Sequence, residues 1–159
     1  MKKNSATSLV LWYIPALAVQ LISTKITMDE LAPWYSCLVK APWTPPPFVF
    51  GPVWTLLYIL MTLSVWTIYR SNATTPQQKK AYSLYFTQLA LNAAWTLLFF
   101  RLREVGLALV DLALLTGVLI YTNIYFFKLK RAAGWLLIPY TLWVGYALTL
   151  NVAIWILNR

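Results

Sequence analysis

Three groups of aromatic and polar side chains recur at helical spacing and could together bind a flat organic ligand. Trp54 and Tyr58 stand four residues apart, so they share one face of a helix. Two further stripes repeat at intervals of three and four residues: Gln88, Asn92, Trp95 and Phe99, then Tyr140, Trp143, Ala147 and Asn151. Aromatic walls with a few amides and hydroxyls are suited to holding and orienting a flat aromatic molecule.

The two amides Gln88 and Asn92 allow two interpretations. Hydrocarbon does not tolerate unpaired amides, so both side chains must face protein or a cavity. They could line a ligand pocket, or they could make hydrogen bonds between helices, as Asn and Gln commonly do in membrane bundles. The convergence of three stripes favours the pocket.

The composition excludes several kinds of chemistry. The chain has 159 residues, no histidine, one cysteine (Cys37) and four acidic residues. It therefore lacks the commonest general base and the commonest transition-metal ligand, so we expect no metal site, no cofactor and no ordinary hydrolase chemistry. The net charge of +9 comes from basic residues at the ends of apolar runs rather than from a basic tract, so no nucleic-acid partner is expected.

Long uncharged stretches predict a membrane protein. Hydrophobic residues make up 60% of the chain and charged residues 11%, against roughly a quarter charged in soluble domains. About 20 helical residues cross a hydrocarbon core of ~30 Å. We predict an all-α fold, an integral membrane bundle of five transmembrane helices in one domain over 1–159. The predicted helices cover 6–25, 47–70, 78–101, 104–128 and 132–156.

The first apolar run has a second interpretation. Its basic start and its Ala16-Leu17-Ala18 triplet resemble a signal peptide. However, the apolar run continues through Leu21 and Ile22, and Pro15 interrupts it. A retained transmembrane helix is therefore favoured.

The distribution of basic residues predicts the orientation in the membrane. Eight of them fall on the N-terminal side of the predicted bundle: Lys2, Lys3, Arg70, Lys79, Lys80, Lys128, Lys130 and Arg131. Five fall on the other side: Lys25, Lys40, Arg101, Arg103 and Arg159. This bias favours a cytoplasmic N-terminus.

The one long predicted connection, 26–46, ends in a proline-rich strap. Residues 40–54 read KAPWTPPPFVFGPVW, and residues 45–47 are consecutive prolines that favour stiff polyproline II geometry. A loop of this length and stiffness predicts a lid, with Trp34, Tyr35 and Trp43 closing over a ligand. The alternative for Trp34 and Trp43 is anchoring at the membrane surface.

Asp111 is the one acid well inside a predicted span. An intramembrane carboxyl group is a candidate for proton-coupled transport. The alternative is an ion pair at the helix end with Arg101 or Arg103, which are near in sequence. The ion pair is favoured, because Asp111 lies only two turns from the predicted start of its helix.

Three separated segments resemble the translocator protein family, which includes the mitochondrial peripheral-type benzodiazepine receptor and the bacterial tryptophan-rich sensory proteins. The segments are WYSCLVKAPWTPPPFVFGPVWTLLYILM (34–61), QLALNAAWTLLFF (88–100) and LLIPYTLWVGYALTLNVAIW (136–155). They occur in order, and the similarity covers roughly residues 10–157. The resemblance implies a five-helix bundle, often a homodimer, with a ligand pocket beneath the first loop. Ala90 and Ala94 are spaced for close helix packing, which fits either a dimer or packing within one chain.

The resemblance also implies ligands and site residues. Family ligands are tetrapyrroles such as protoporphyrin IX and haem, isoquinoline carboxamides, benzodiazepines and, for some members, sterols. The family's pocket positions correspond to Tyr35, Trp54, Asn92, Trp95, Trp143 and Ala147. Combined with the stripes and the strap, the predicted ligand-binding set is Tyr35, Trp43, Trp54, Tyr58, Gln88, Asn92, Trp95, Tyr140, Trp143 and Ala147.

We therefore predict a membrane receptor or sensor for porphyrin-like ligands in the lipid bilayer. One alternative is a light- and oxygen-dependent porphyrin-degrading enzyme, in which Trp54 and Trp143 would be the catalytic residues. The other is a tetrapyrrole or sterol transporter. Val152 and Ile156 replace the tyrosine and the basic residue of the animal sterol-recognition stretch. That departure argues against cholesterol as the natural ligand. The short chain is more typical of a bacterial member, which we expect in the cell membrane rather than the outer membrane.

Overall fold

Five long helices build the protein. The computed structural model describes residues 6–159, and within them no β-strand occurs. The helices are α1 (Ala6–Leu31), α2 (Pro47–Tyr69), α3 (Thr75–Thr96), α4 (Val105–Leu129) and α5 (Arg131–Leu157). A 3₁₀ turn at Tyr35–Cys37 lies in the first connection, and a π-helical turn at Leu97–Arg101 extends α3. The predicted all-α, five-helix architecture is confirmed.

Four of the helices meet the length and hydropathy expected of a membrane span: α1, α2, α4 and α5. The remaining helix, α3, begins with the polar residues TPQQKK, which lower its average hydropathy. Its apolar portion starts at Ala81 and continues through the π-helical turn to Phe100. The stretch 81–100 has the length of a bilayer crossing.

The first helix is longer than its charge pattern predicts. Lys25 was expected to end it, yet α1 continues to Leu31. Lys25 Nζ lies 3.2 Å from the carboxylate of Asp29, one helical turn later, so the two charges lie on an exposed helix face. The helix ends just before Ala32 and Pro33, since a proline disfavours helical geometry in the residue before it. The first connection therefore covers 32–46, not 26–46.

The third helix starts at Thr75, whereas the sequence predicted a start at residue 78. The backbone N–H of Thr74 donates to Gln77 Oε1 at 2.9 Å, which is half of a capping box. Pro76 occupies the first turn, where a missing N–H is tolerated. The other predicted helix ends agree with the structure within one residue.

The helices form a closed ring in the order α1, α2, α5, α4, α3, and α3 returns to α1. The short connection between α4 and α5 makes them antiparallel neighbours. The centre of the ring is filled by fully buried apolar side chains: Met61, Val65, Ile68, Leu115, Leu119 and Val144. Large apolar residues also cover the outside, including Leu11, Leu21, Leu114 and Leu142, as a lipid-facing surface requires.

The corner between α3 and α4 binds the end of α1 through charge. Arg103 adopts a left-handed backbone with φ 58°, which turns the chain sharply after the π-helical turn. Its Nη2 lies 2.9 Å from Glu30 Oε2, and Arg101 Nη1 lies 3.7 Å from Glu30 Oε1. The Glu30 side chain is only 9% exposed, so these ion pairs hold the end of α1 against the α3–α4 corner.

The favoured ion pair between Asp111 and these arginines is therefore wrong. The additional turn and a half of α1 brings Glu30 to the corner, where both guanidinium groups bind it. Asp111 is buried on α4, and its Oδ2 has no hydrogen-bond partner within residues 6–159. No salt bridge joins Asp111 to another side chain in that same range.

Candidate ligand-binding site

Three hydrogen-bonded side chains, here called the triad, link three helices within the core: Tyr58, Asn92 and Tyr140. The Tyr58 hydroxyl donates to Asn92 Oδ1 at 2.6 Å, and Asn92 Nδ2 donates to the Tyr140 hydroxyl at 3.1 Å. All three side chains are at most 2% exposed. The network joins α2, α3 and α5 at the place where the three predicted stripes meet. The Asn92 amide therefore makes hydrogen bonds between helices, which is one of the two roles that the sequence allowed for it.

Trp54 adds an aromatic wall beside the triad. Its ring centroid lies 5.9 Å from that of Tyr58 in a tilted arrangement. It lies 6.2 Å from the Tyr140 ring, edge to face. Such spacings favour aromatic contact. Trp54 is half-buried, so one part of the indole remains accessible beside the triad.

Trp143 follows Tyr140 by three residues on α5 and carries an unused donor. Its ring packs edge to face on Phe50 at 6.0 Å and tilts against Tyr146 at 5.6 Å. The indole Nε1 is buried and has no hydrogen-bond partner among the described residues. Ala147, one turn further along α5, packs against the main core together with Trp143. An unpaired buried N–H costs about 1–3 kcal/mol, so an acceptor placed there would bind favourably.

Gln88 is buried one turn before Asn92 on α3. Its side-chain Nε2 lies 3.4 Å from the sulfur of Met61, a weak acceptor. Its Oε1 has no partner within the described part of the chain. Gln88 therefore lines the same side of α3 as the triad and keeps one strong acceptor unused.

Trp95 connects the site to a second aromatic cluster. Its Nε1 donates to Asn151 Oδ1 at 3.0 Å, and Asn151 Nδ2 donates to the Val105 carbonyl at 3.1 Å. The indole also stacks on Phe99 at 5.2 Å with an interplanar angle of 22°. Trp95 packs against both apolar clusters of the protein, so it separates the triad from the α3–α4 corner.

Tyr35 belongs to that second cluster rather than to the triad. The ring is 9% exposed and lies 5.8 Å from Phe100 and 6.3 Å from Phe99. Lys40 Nζ stands 4.8 Å above it. Burial raises the pKa of the Tyr35 hydroxyl above its ordinary value, and the nearby Tyr146 adds to the rise. Tyr35 is therefore held neutral within the first connection.

The proline strap lies along α5 and not directly over the triad. The Tyr146 hydroxyl donates to the Trp43 carbonyl at 2.6 Å. The Trp43 side chain is 56% exposed and rests in an apolar groove on the outer face of α5. The groove is lined by Leu148, Thr149, Val152, Ala153 and Ile156. Trp43 is thus apart from the other predicted site residues.

Sequence reasoning missed the residues that hold the strap. Asn158 forms a two-way amide contact with Val39: its Oδ1 accepts from the Val39 N–H at 2.9 Å, and its Nδ2 donates to the Val39 carbonyl at 2.9 Å. With Tyr146, this fixes both ends of the segment 39–43 to α5. These pairs are more than a hundred residues apart in sequence. An exposed Asn at a helix end carries no periodic signal, so nothing in the sequence pattern pointed to them.

The geometry defines a class of protein. It is a polytopic helical membrane protein whose core holds a cluster of aromatic and amide side chains, and whose first connection is hydrogen-bonded to α5. Within residues 6–159 no cluster of His, Cys, Asp and Glu could hold a metal ion. The side chains at the site supply aromatic faces, hydroxyls, amides and one unpaired indole N–H, which are the groups that ligand pockets typically present.

The chain belongs to the TspO/MBR family, whose sequence profile matches residues 11–156. It is 34% identical to the translocator protein of Homo sapiens over 151 residues, 90% of this chain and 89% of that protein. It is 35% identical to the tryptophan-rich protein TspO of Archaeoglobus fulgidus over 150 residues, 94% and 96% of the two chains. A third relative is the protein CrtK of Rhodobacter capsulatus, 33% identical over 127 residues, 79% and 78% of the two chains. Family membership and the apolar helices make this chain an integral membrane protein.

Proposed function

We propose that this protein is a membrane receptor or sensor that binds porphyrin-like tetrapyrroles, and isoquinoline carboxamide or benzodiazepine type ligands, between α2, α3 and α5. The observation that carries the proposal is the unpaired indole N–H of Trp143, buried one helical turn from Tyr140, whose ring contacts Trp54. A buried donor without an acceptor is costly. A ligand carboxylate or carbonyl would satisfy it.

The aromatic wall supports a flat ligand. The Trp54 and Trp143 rings are both half-buried, and each contacts further rings rather than aliphatic side chains alone. A planar macrocycle or fused ring could stack on such faces with little loss of rotational freedom. The amide of Gln88, with its unused Oε1, would then select a ligand bearing a donor.

The Tyr58–Asn92–Tyr140 triad closes the space between the helices in this structure. A large ligand therefore has to enter beside the triad, at the end of α2 where Phe50 and Trp143 meet. Movement of the segment 39–46, which is attached through Tyr146, would open that side. The strap thus controls the rate of exchange rather than supplying the binding surface.

A second candidate is light- and oxygen-dependent degradation of the bound porphyrin. It is favoured by the continuous aromatic contact from Trp54 to Tyr58 and Tyr140, since indole and phenol rings are oxidisable. In this case Trp54 and Trp143 would be the reacting residues. Binding in the dark is a requirement of both candidates, so it is tested first.

We place the protein in a bacterial cell membrane, as a homodimer. The Ala90 side chain is exposed on α3 and Ala94 is half-buried one turn later, so this face could approach a second copy closely. Replacement Ala90→Leu should lower the dimer fraction measured by light scattering in detergent. An unchanged dimer fraction would exclude this face as the interface.

The test is a titration of the purified protein with protoporphyrin IX in the dark, followed by tryptophan fluorescence. Trp54→Phe and Trp143→Phe are compared with Trp135→Phe, a control on the lipid-facing side of α5 where the indole is 63% exposed. We expect saturable quenching in the wild type and in the control. Loss of the Trp143 hydrogen bond should weaken binding about ten-fold.

Illumination with and without oxygen then separates the two candidates. Binding without protein-dependent breakdown supports the receptor or sensor. A discrete new pigment that disappears in both Trp54→Phe and Trp143→Phe supports the enzyme. No saturable binding in the dark, or equal weakening by Trp135→Phe, would overturn the proposed site.

A further inference from the structure

The two ends of the bundle differ sharply in charge. All four acidic residues of the chain lie in the half that holds the α1–α2 and α3–α4 connections: Asp29, Glu30, Glu104 and Asp111. The three ion pairs found within residues 6–159 lie in that half as well. The opposite end carries six cationic side chains in the described part of the chain: Arg70, Lys79, Lys80, Lys128, Lys130 and Arg131. Lys2 and Lys3 lie outside the described residues.

A cleft concentrates part of this charge. It has a volume of about 450 Å³ and lies between the α2–α3 and α4–α5 connections. Its lining residues are Arg70, Ser71, Asn72, Ala73, Gln77, Lys128, Leu129 and Lys130. Three cations and two amides surround a single cleft with no acid among them, and this lining favours a ligand that is an anion with several oxygens.

Side chains beside the cleft donate hydrogen bonds to backbone carbonyls at the end of α2, whose negative potential would otherwise oppose the binding of an anion. The Gln78 Nε2 lies 3.4 Å from the carbonyl oxygens of Ile68 and Tyr69 at the end of α2, and from that of Ser71 in the α2–α3 connection. The Ser71 hydroxyl also donates to the Ile68 carbonyl at 2.7 Å. These donors offset part of the negative potential of the carbonyls at this helix end, so the cleft keeps its positive character.

Aromatic residues place the cleft at the depth of lipid headgroups. Next to Lys128, the Phe127 ring packs edge to face on Trp135 at 5.4 Å, and Trp135 is 63% exposed. On the other side, the Arg70 guanidinium stands 4.5 Å above the Trp66 ring. Tryptophan flanked by basic residues is typical of the membrane–water interface. A phosphate at this level belongs to the bilayer.

We propose that this cleft binds the phosphate of an anionic phospholipid headgroup, with Lys128 and Lys130 as its principal contacts and Arg70 beside them. Both lysines are exposed, at the junction of α4 and α5 where the lipid-facing surface begins. The bound lipid would link the α2–α3 and α4–α5 connections. This site is at the opposite end of the bundle from the strap and is independent of the proposed ligand pocket.

The test is native mass spectrometry of the full chain in detergent with added dioleoylphosphatidylglycerol or dioleoylphosphatidylcholine. The wild type is compared with Lys128→Gln/Lys130→Gln. The matched control is Lys25→Gln/Arg159→Gln, which removes the same charge from the other end. Each lysine removed should lower the preference for phosphatidylglycerol about five-fold, and the control should keep it. The variant Lys128→Arg/Lys130→Arg should retain the preference.

Several results would overturn the proposal. An equal loss in the control would show attraction by net charge without a site. Failure of the arginine variant to retain the preference would exclude an electrostatic headgroup contact. A parallel arm adds inorganic phosphate alone: if phosphate raises the melting temperature through the two lysines while phosphatidylglycerol shows no preference, the cleft binds a soluble anion and the lipid assignment is wrong. Circular dichroism confirms that each variant is folded.

Discussion

The hydroxyl of Tyr58 on α2 donates a 2.6 Å hydrogen bond to the side-chain oxygen of Asn92 on α3. Because Asn92 donates in turn to Tyr140 on α5, one amide holds three helices at a common depth. These groups are buried away from water, where an unpaired polar atom is costly. The same contact therefore stabilises the bundle and defines the floor of the proposed pocket.

Replacement of Tyr58 by phenylalanine should destabilise the protein by about 1 kcal/mol, because it leaves the Asn92 oxygen without its donor. The measurement is the free energy of unfolding in a mixed detergent. Tyr13→Phe is the control, since the Tyr13 ring packs on the core while its hydroxyl makes no hydrogen bond within the described residues. Equal effects of the two changes would show that the bond adds no stability.

Replacement of Glu30 by glutamine should loosen the joint between α1 and the α3–α4 corner. The change removes the charge that Arg101 and Arg103 share, and the cost should be about 1 kcal/mol, since both arginines are half or more exposed to solvent. Asp29→Asn removes an exposed pair and should cost less than about 0.5 kcal/mol. Melting temperature is measured at low and high salt, and only the Glu30 variant should remain destabilised in both.

Replacement of Gly134 by alanine should be strongly unfavourable. A Cβ at this position would overlap the Phe127 ring, which packs against the start of α5. Overpacking of this kind costs about 1–3 kcal/mol. Gly145→Ala on the same helix meets no atom within 4 Å and should stabilise the helix slightly. If thermal unfolding shows both variants equally stable, the close approach of α4 and α5 at Gly134 is incorrect.

Replacement of Tyr146 by phenylalanine should release the strap at Trp43. The hydrogen bond to the Trp43 carbonyl is lost while the ring contact with Trp143 is kept. Hydrogen exchange in residues 39–44 should accelerate several-fold, and a bound porphyrin should dissociate faster with little change in its association equilibrium in the core. Tyr13→Phe is the control, since the Tyr13 hydroxyl makes no hydrogen bond within the described residues. Unchanged exchange in the Tyr146 variant would show that Asn158 alone holds the strap.

The number, position and approximate length of the helices were predictable from the sequence, because a span must be apolar over about 20 residues whatever it packs against. The stripes that carry Tyr58, Asn92 and Tyr140 were also predictable, since helical period alone places residues three and four apart on one face. Three such faces that each mix aromatic and polar groups can satisfy their polar atoms only by turning toward one another.

Only the tertiary structure decided which groups meet at the ends of the helices. The acid that binds Arg101 and Arg103 is Glu30 rather than Asp111, because α1 runs on to Leu31 and the left-handed turn at Arg103 directs both side chains toward it. Trp43 lies on the outer face of α5 because the hydroxyl of Tyr146, 103 residues later, donates a hydrogen bond to the Trp43 carbonyl. Such contacts depend on where each helix ends and on residues far apart in sequence, so no periodic sequence pattern predicts them. The length of an apolar span and the buried face of a helix, in contrast, follow directly from composition and residue spacing.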